Sequence, residues 1–318
     1  MTGLGNKIAD TSAECVRELN RSALFPVVEK LRAHGTYESV LRSVLASSNR
    51  EQALLTLAAQ LGQASEQHGN DIFALPRVLL AGVALQNLKR LEDLPLETSV
   101  KSMLCDYCKF FVSPPPGEMR LFDPNQYSFL ALAKIALLER FPAGQFDWEV
   151  SGFPRSWLLK IPFSSLPKIA YFLARRLKGF APCIYPHLSC RRKNSLILIP
   201  RECQKSWYRM AISVEQQPEI RGLVACSWFF SPDTFKVSPH LSFLVEPFLE
   251  SGGLVTTRGK AKASEGFLAG SETRRKLYES GEFKPTMGLV LWTRDQMIQW
   301  AHLHPEFGDW PKGARRTA

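Results

Sequence analysis

The chain contains no uninterrupted apolar run of the roughly 18 to 20 residues that a membrane-crossing helix requires, and no membrane partner is expected. Its N-terminus has no basic segment followed by an apolar one, so export is not expected either. The patterns G-x-S-x-G, H-E-x-x-H, the P-loop and G-x-G-x-x-G are all missing. Their absence argues against serine hydrolases, zincins, P-loop kinases and classical dinucleotide enzymes. Recognisable RRM, KH and helix-turn-helix patterns are missing too, as are internal repeats and low-complexity tracts. Cysteines number only seven, an odd count spread through 318 residues. That usage fits reduced thiols in the cytoplasm better than a disulfide framework.

The composition that remains is ordinary and globular, 45% hydrophobic and 22% charged. A chain of 35.8 kDa exceeds the usual size of a single core, so one large or two modest domains are expected. Charge divides unevenly. Residues 1–150 carry 15 Lys and Arg against 17 Asp and Glu, whereas residues 151–318 carry 25 against 13. The second part therefore attracts anions, and the candidates are nucleic acid, phosphate-bearing cofactors, acidic lipid surfaces and acidic small molecules.

The first half reads as helical. Ser48 and Glu51 have capping-box spacing ahead of an apolar face at Leu54, Leu57, Ala58 and Leu61. A second helix starts near Asn70 or Asp71, and a third, from Asn125 to Arg140, is apolar almost all round and therefore predicted to be buried. Ser113 to Gly117, with three consecutive prolines, marks a surface crossing. Around Phe141 to Pro154 the composition shifts and the charge balance changes sign, which places a soft boundary near residue 150. The expected domains are thus a mainly helical region, 1–150, and a basic α/β domain, 151–318.

In the second half, a helix from Leu166 to Lys178 stops at Gly179 and carries Arg175, Arg176 and Lys178 in its last turn. Strands are predicted at Ala181–Leu188, Leu223–Phe230, Leu254–Thr257 and Met287–Trp292. Helices alternate with them: Arg201–Val214, one opened by Ser238 and Pro239, one capped by Ser271 and ended by Gly281, and one boxed by Thr293 and Gln296. The fold class that follows is α/β, with α+β as the alternative: a mixed sheet with flanking helices and parallel crossovers.

Ligands of open α/β sheets gather outside the carboxyl ends of the strands. Three strands end informatively, at Trp228, at Thr257, Arg258 and Gly259, and at Trp292 followed by Arg294. Should these ends share one rim, aromatic walls and two guanidinium groups would suit a small anionic ligand. On the alternative reading, the tryptophans are core and the arginines solvated. His187, with Arg191 and Arg192 after it, offers a further carboxylate or phosphate site, or else an ordinary surface loop.

The segment Arg258-Gly259-Lys260-Ala261-Lys262-Ala263 resembles the acyl-CoA pyrophosphate loop of the GNAT family of N-acyltransferases, whose pattern is Arg or Gln, two residues, Gly, one residue, then Gly or Ala. Arg258 and Ala263 match its ends, and Ala261 stands where the pattern has its central glycine. The order that follows, helix, strand Met287–Trp292 and final helix, also resembles that family over about residues 220–305. The resemblance implies acyl transfer from acyl-CoA to an amine. Pyrophosphate would fall to Lys260, Lys262 and backbone N–H groups, the remaining phosphate to Arg274 and Arg275, and the pantetheine arm to Trp228 or Phe229. The tyrosine acid common on the family's last helix has no counterpart, and that segment offers His302 or His304. His240 and Glu246 are the candidate bases near the ligand, by proximity in sequence and by their titration range.

Zinc is the rival site chemistry. Cys105 and Cys108 form C-x-x-C, and Cys183, His187 and Cys190 form C-x-x-x-H-x-x-C, enough ligands for a tetrahedral ion. The two clusters lie about 75 residues apart and the first falls in a predicted helix, so packed, unliganded thiols are expected and no metal is assigned. Two other functional classes remain beside the small-molecule transferase. One is a nucleic-acid-binding protein using Arg175, Arg176, Arg191, Arg192 and Lys193 on phosphates. The other is a catalytically silent partner subunit with an exposed apolar patch.

Overall fold

The computed structural model describes residues 2–21, 43–44, 46–67, 72–180, 182–189, 191, 198–262, 268 and 271–308. The predicted helix start at Asn70 or Asp71, the strand start at Ala181, and Cys190, Arg192, Lys193 and Ala263 lie outside these residues. The chain forms two compact units, residues 1–94, 98–142 and 189–195 in one and residues 95–97, 143–188 and 196–318 in the other.

The first unit is built of helices α1 (Thr2–Arg21), α2 (Arg50–Gln67), α3 (Ala74–Leu88), α4 (Thr98–Val112) and α5 (Tyr127–Ala136), and it includes the three-residue strand β1 (Arg140–Pro142). Helix α3 is apolar nearly all round, and it packs against the other four helices. The cap of α2 is Asn49, whose Oδ1 accepts from Gln52 N at 3.3 Å, one residue past the expected Ser48. Helix α5 stops short of the expected Arg140. Leu138 takes a left-handed conformation (φ 59°), and Glu139 N reaches back to Lys134 O at 2.8 Å in a Schellman closure. Glycine usually holds that position; leucine there gives no warning in the sequence.

The second unit is organised on strands β2 (Phe146–Ser151), β3 (Cys183–Leu188), β4 (Gly222–Ser227), β5 (Leu254–Lys260) and β6 (Thr286–Thr293), in spatial order β2-β3-β4-β6-β5. Strand β2 runs antiparallel to β3, from Phe146 opposite Leu188 to Ser151 opposite Cys183. Strand β6 is inserted between β4 and β5 and is antiparallel to both. The single parallel pair of this set is β3–β4, joined by helix α7 (Pro200–Glu215), so parallel crossovers are fewer than the alternation of elements suggested. β2 was not anticipated.

One face of the sheet, with Cys183, Val224, Leu289 and Leu291, is covered by Ile169, Phe172, Leu173 and Leu177. These come from helix α6 (Leu166–Tyr171) and the wider π-type turn that extends it through Arg176. The other face carries an aromatic core. Trp207 stacks on Phe146 at 4.4 Å between ring centres, and Phe248 meets Trp207 at 5.2 Å and Trp292 at 4.9 Å. A short helix, α8 (Pro232–Val237), precedes Ser238, and the single helix expected after it is two short pieces, a 3-10 segment Pro239–Leu244 and α9 (Glu246–Glu250); each has proline in its first turn. Ser231, not Ser238, supplies a cap, to Asp233 N. Helices α10 (Glu272–Glu279) and α11 (Arg294–Leu303) begin as anticipated, on Ser271 and on the Thr293–Gln296 capping box.

Candidate active site

The parallel strands β3 and β4 are in register at one position, Ile184 with Leu223, near their amino ends, where Arg221 N also donates to Pro182 O at 2.9 Å. Towards the carboxyl ends a side chain spans the gap: Tyr185 Oη donates to the carbonyl of Cys226 at 3.3 Å. Helix α7 starts from this end of the sheet, since it must return to the beginning of β4, and no side chain caps its first turn.

Residues opposite one another in an antiparallel pair project from the same face. Glu149 faces Tyr185 and Asp147 faces His187, so β2 and β3 bring these four groups together on one face. His187 Nε2 lies 3.2 Å from Glu149 Oε1, with both side chains largely buried. The Tyr185 ring is centred 5.0 Å from the imidazole. Trp157, from the 3-10 segment Arg155–Lys160, meets Tyr185 edge-on at 6.0 Å, and the Arg258 guanidinium sits 4.8 Å from the centre of the same indole. Arg258 stands at a bulge in β5 between Thr257 and Gly259. Gly259 (φ 152°) admits the Lys160 carbonyl, which would lie 2.9 Å from a Cβ there. A continuous line of side chains thus runs from Arg258 through Trp157, Tyr185 and His187 to Glu149. Chemically, it offers an imidazole that can accept a proton, a carboxylate to stabilise the resulting imidazolium, and a guanidinium for an anion.

The three strand ends do not share one rim. Gly222 is opposite Thr293 and Ser227 opposite Gly288, so β6 ends where β4 begins. Trp228, Thr257, Arg258, Gly259 and Lys260 lie at one end of the sheet; Trp292 and Arg294 lie at the other. Trp292 is fully buried, with Nε1 donating to Ser251 Oγ at 2.6 Å. Arg294 donates to Glu215 O at 2.9 Å and lines an open cavity of about 560 Å³ with Glu215, Asp295, Ile298, Gln299 and His302.

The indole that Arg258 meets is Trp157. Trp228 is buried against Arg274, whose guanidinium lies 4.9 Å from its ring and donates to Ser238 Oγ at 3.1 Å; burial lowers the pKa of Arg274. Arg275 is exposed and bonds Glu272 at 2.6 Å within its own helix. Lys260 and Lys262 are exposed, as are His240 and Glu246, the latter accepting from Ser242 Oγ at 3.3 Å. Arg191 lies over Tyr107 and Phe110, at 4.9 and 4.3 Å from their ring centres.

The thiols fit the packing reading. Cys105, Cys108 and Cys183 are buried, and burial pushes Cys183 up to about 12. A hydrogen bond that the Cys108 thiol donates to Cys15, with burial added, raises Cys108. Among the described residues no three His, Cys, Asp or Glu side chains are grouped to hold a metal ion, and no helix is long and apolar enough to cross a membrane.

Glu149, Tyr185 and Trp157 were not singled out from the sequence. The period-two alternation of Phe146, Trp148 and Val150 with Asp147, Glu149 and Ser151 was the available signal for β2. No family model, curated protein or solved structure matches the chain.

Proposed function

We propose that the second unit is a cytoplasmic acyltransferase of the GNAT type, taking the acyl group of an acyl-CoA or similar phosphate-bearing thioester and passing it to an amine. What supports this reading is the line of side chains from Arg258 through Trp157, Tyr185 and His187 to Glu149, which offers a guanidinium for an anion and an imidazole beside a carboxylate. Anionic phosphates suit the uncapped start of α7, where helical N–H groups and the dipole favour negative charge. Arg258, Lys260 and Lys262 supply further positive charge at the same end of the sheet.

In this reading His187 replaces His240 and Glu246 as the base, on the strength of its contact with Glu149. The amine nitrogen attacks the thioester carbonyl carbon, and its proton passes to the imidazole, whose charge Glu149 balances. Collapse of the tetrahedral intermediate breaks the C–S bond, and the thiolate departs and takes up a proton.

Calorimetric titration of the full chain with acetyl-CoA and longer acyl-CoA thioesters tests the reading. Saturable heat is expected, with affinity about tenfold weaker in Arg258→Ala, the loss typical of one charge-assisted contact. His187→Ala should still bind donor but lose transfer. Absence of heat with every thioester, together with an Arg258→Ala variant indistinguishable from the parent, would end the proposal.

A further inference from the structure

From Val150 to Arg201 the chain carries ten Lys and Arg and no Asp or Glu. Much of this stretch, residues 152–182, joins two neighbouring antiparallel strands, β2 and β3, which a short hairpin turn would suffice to connect. It instead crosses one face of the sheet, anchored by the buried residues Phe153, Ile161, Ile169, Phe172, Leu173 and Leu177. The outward side of this anchored layer is unusual. Phe163 and Leu159 are 91% and 89% exposed, nearly as much as in an extended peptide, and Tyr171 is 62% exposed. Within the same layer Arg155, Lys160, Lys168, Arg175, Arg176 and Lys178 are all exposed. None of these six forms an ion pair with a described residue.

We propose that this layer is a docking surface for an anionic lipid bilayer, with Leu159 and Phe163 inserted among the acyl chains and the six cations held at the headgroups. Side chains this exposed protrude, so a rigid protein partner would need a matching pair of apolar holes, whereas a fluid bilayer receives them anywhere on its surface. The acid-free set of exposed cations complements a negatively charged leaflet, and no carboxylate within the layer opposes approach. Phe163 and Leu159 flank Pro162 at a corner of the chain, not on a flat aromatic platform of the kind single-stranded nucleic acid stacks on. The expectation of no membrane partner rested on the lack of a spanning helix; peripheral attachment needs none.

The test is flotation of the full chain with vesicles of phosphatidylcholine alone and of phosphatidylcholine containing about one third phosphatidylglycerol, at low and at about 0.5 M salt. Partition into the anionic vesicles is expected, weakened by salt and about tenfold lower in each of Leu159→Ser and Phe163→Ser. The double variant Lys168→Glu/Arg175→Glu should lose about tenfold or more. Because all four side chains are exposed, tryptophan-fluorescence melting should match the parent and certify the fold. No partition into anionic vesicles overturns the proposal, as does equal partition of parent and variants. It is equally overturned if the vesicles do not bind and a single-stranded oligonucleotide does, with the charge reversals releasing it, for the face would then belong to nucleic acid.

Discussion

Gly288→Ala should be among the most damaging single-methyl additions in the second unit. Gly288 lies in β6 against the turn that follows β4, and a Cβ there would come 2.2 Å from Phe230 C, 2.3 Å from Ser231 N and 2.4 Å from Phe230 O. These are backbone atoms, so no rotamer change relieves the overlap, and separations of about 3.5–4.0 Å are needed. The turn must lift by more than an ångström. That movement pulls Ser231 Oγ from Thr286 Oγ1, now at 2.5 Å, strains the 2.8 Å bond from Thr286 to Asp233, and draws Phe230 away from Phe248, centred at 6.0 Å. Overpacking costs about 1–3 kcal/mol and each lost hydrogen bond about 1 kcal/mol, giving about 3–5 kcal/mol in total. At about 2–4 °C per kcal/mol for a unit of this size, the melting temperature should fall by about 6–20 °C. The six tryptophans among the described residues all belong to the second unit, so intrinsic fluorescence reports chiefly on it. Gly62→Ala provides the contrast. In α2 its nearest neighbour is Ile72 O at 3.7 Å, an ordinary contact, so the helix should gain about 0.5–1 kcal/mol, seen by circular dichroism. A Gly288→Ala protein melting within about 1 °C of the parent would refute the packing argument.

Two further outcomes follow from ionisation. His304 has Nδ1 3.0 Å from Glu306 and Nε2 3.0 Å from Glu250; burial alone would lower its pKa, but both carboxylates bond to it and raise it above 6.5 overall. Because the folded value exceeds the unfolded one, its stabilisation is complete below about pH 6.5 and is lost as pH rises through the folded value. Urea midpoints by fluorescence from about pH 6 to 9 should therefore decline in the parent more than in His304→Gln, and parallel profiles would contradict the assignment. Cys183, pushed up to about 12 by burial, is almost wholly thiol at neutral pH. Iodoacetamide should label it only after denaturation, and modification of the folded protein on the timescale of an unhindered thiol would show the site to be open.

The sequence was readable where structure is local. Ser271 and the Thr293–Gln296 pair mark helix starts because their partners lie within three residues, and the apolar runs at Leu223 and Met287 mark strands because both sheet faces are covered. What could not be read is non-local. Nothing in Met287–Trp292 reveals that it runs against β4, yet that direction alone separates Trp292 and Arg294 from Trp228 and Arg258. The candidate site behaved similarly. Arg258 and His187 were recognisable by residue type at strand ends, but their partners Trp157 and Glu149 come from segments far away in sequence. Leu138 shows the remaining difficulty: a helix stopped by a left-handed leucine has no residue-type signature.

The position of β6 bears on how the protein is made. β4 and β5 emerge from the ribosome before the strand that must lie between them, so β4 has only its β3 neighbour, and β5 lacks its β6 neighbour, until residues 286–293 appear. A nascent chain paused earlier holds two open sheet edges, the form most apt to pair with other chains. Completion of the sheet is thereby deferred until β6 has been made, and products truncated before Thr286 should accumulate as aggregates or be bound by chaperones.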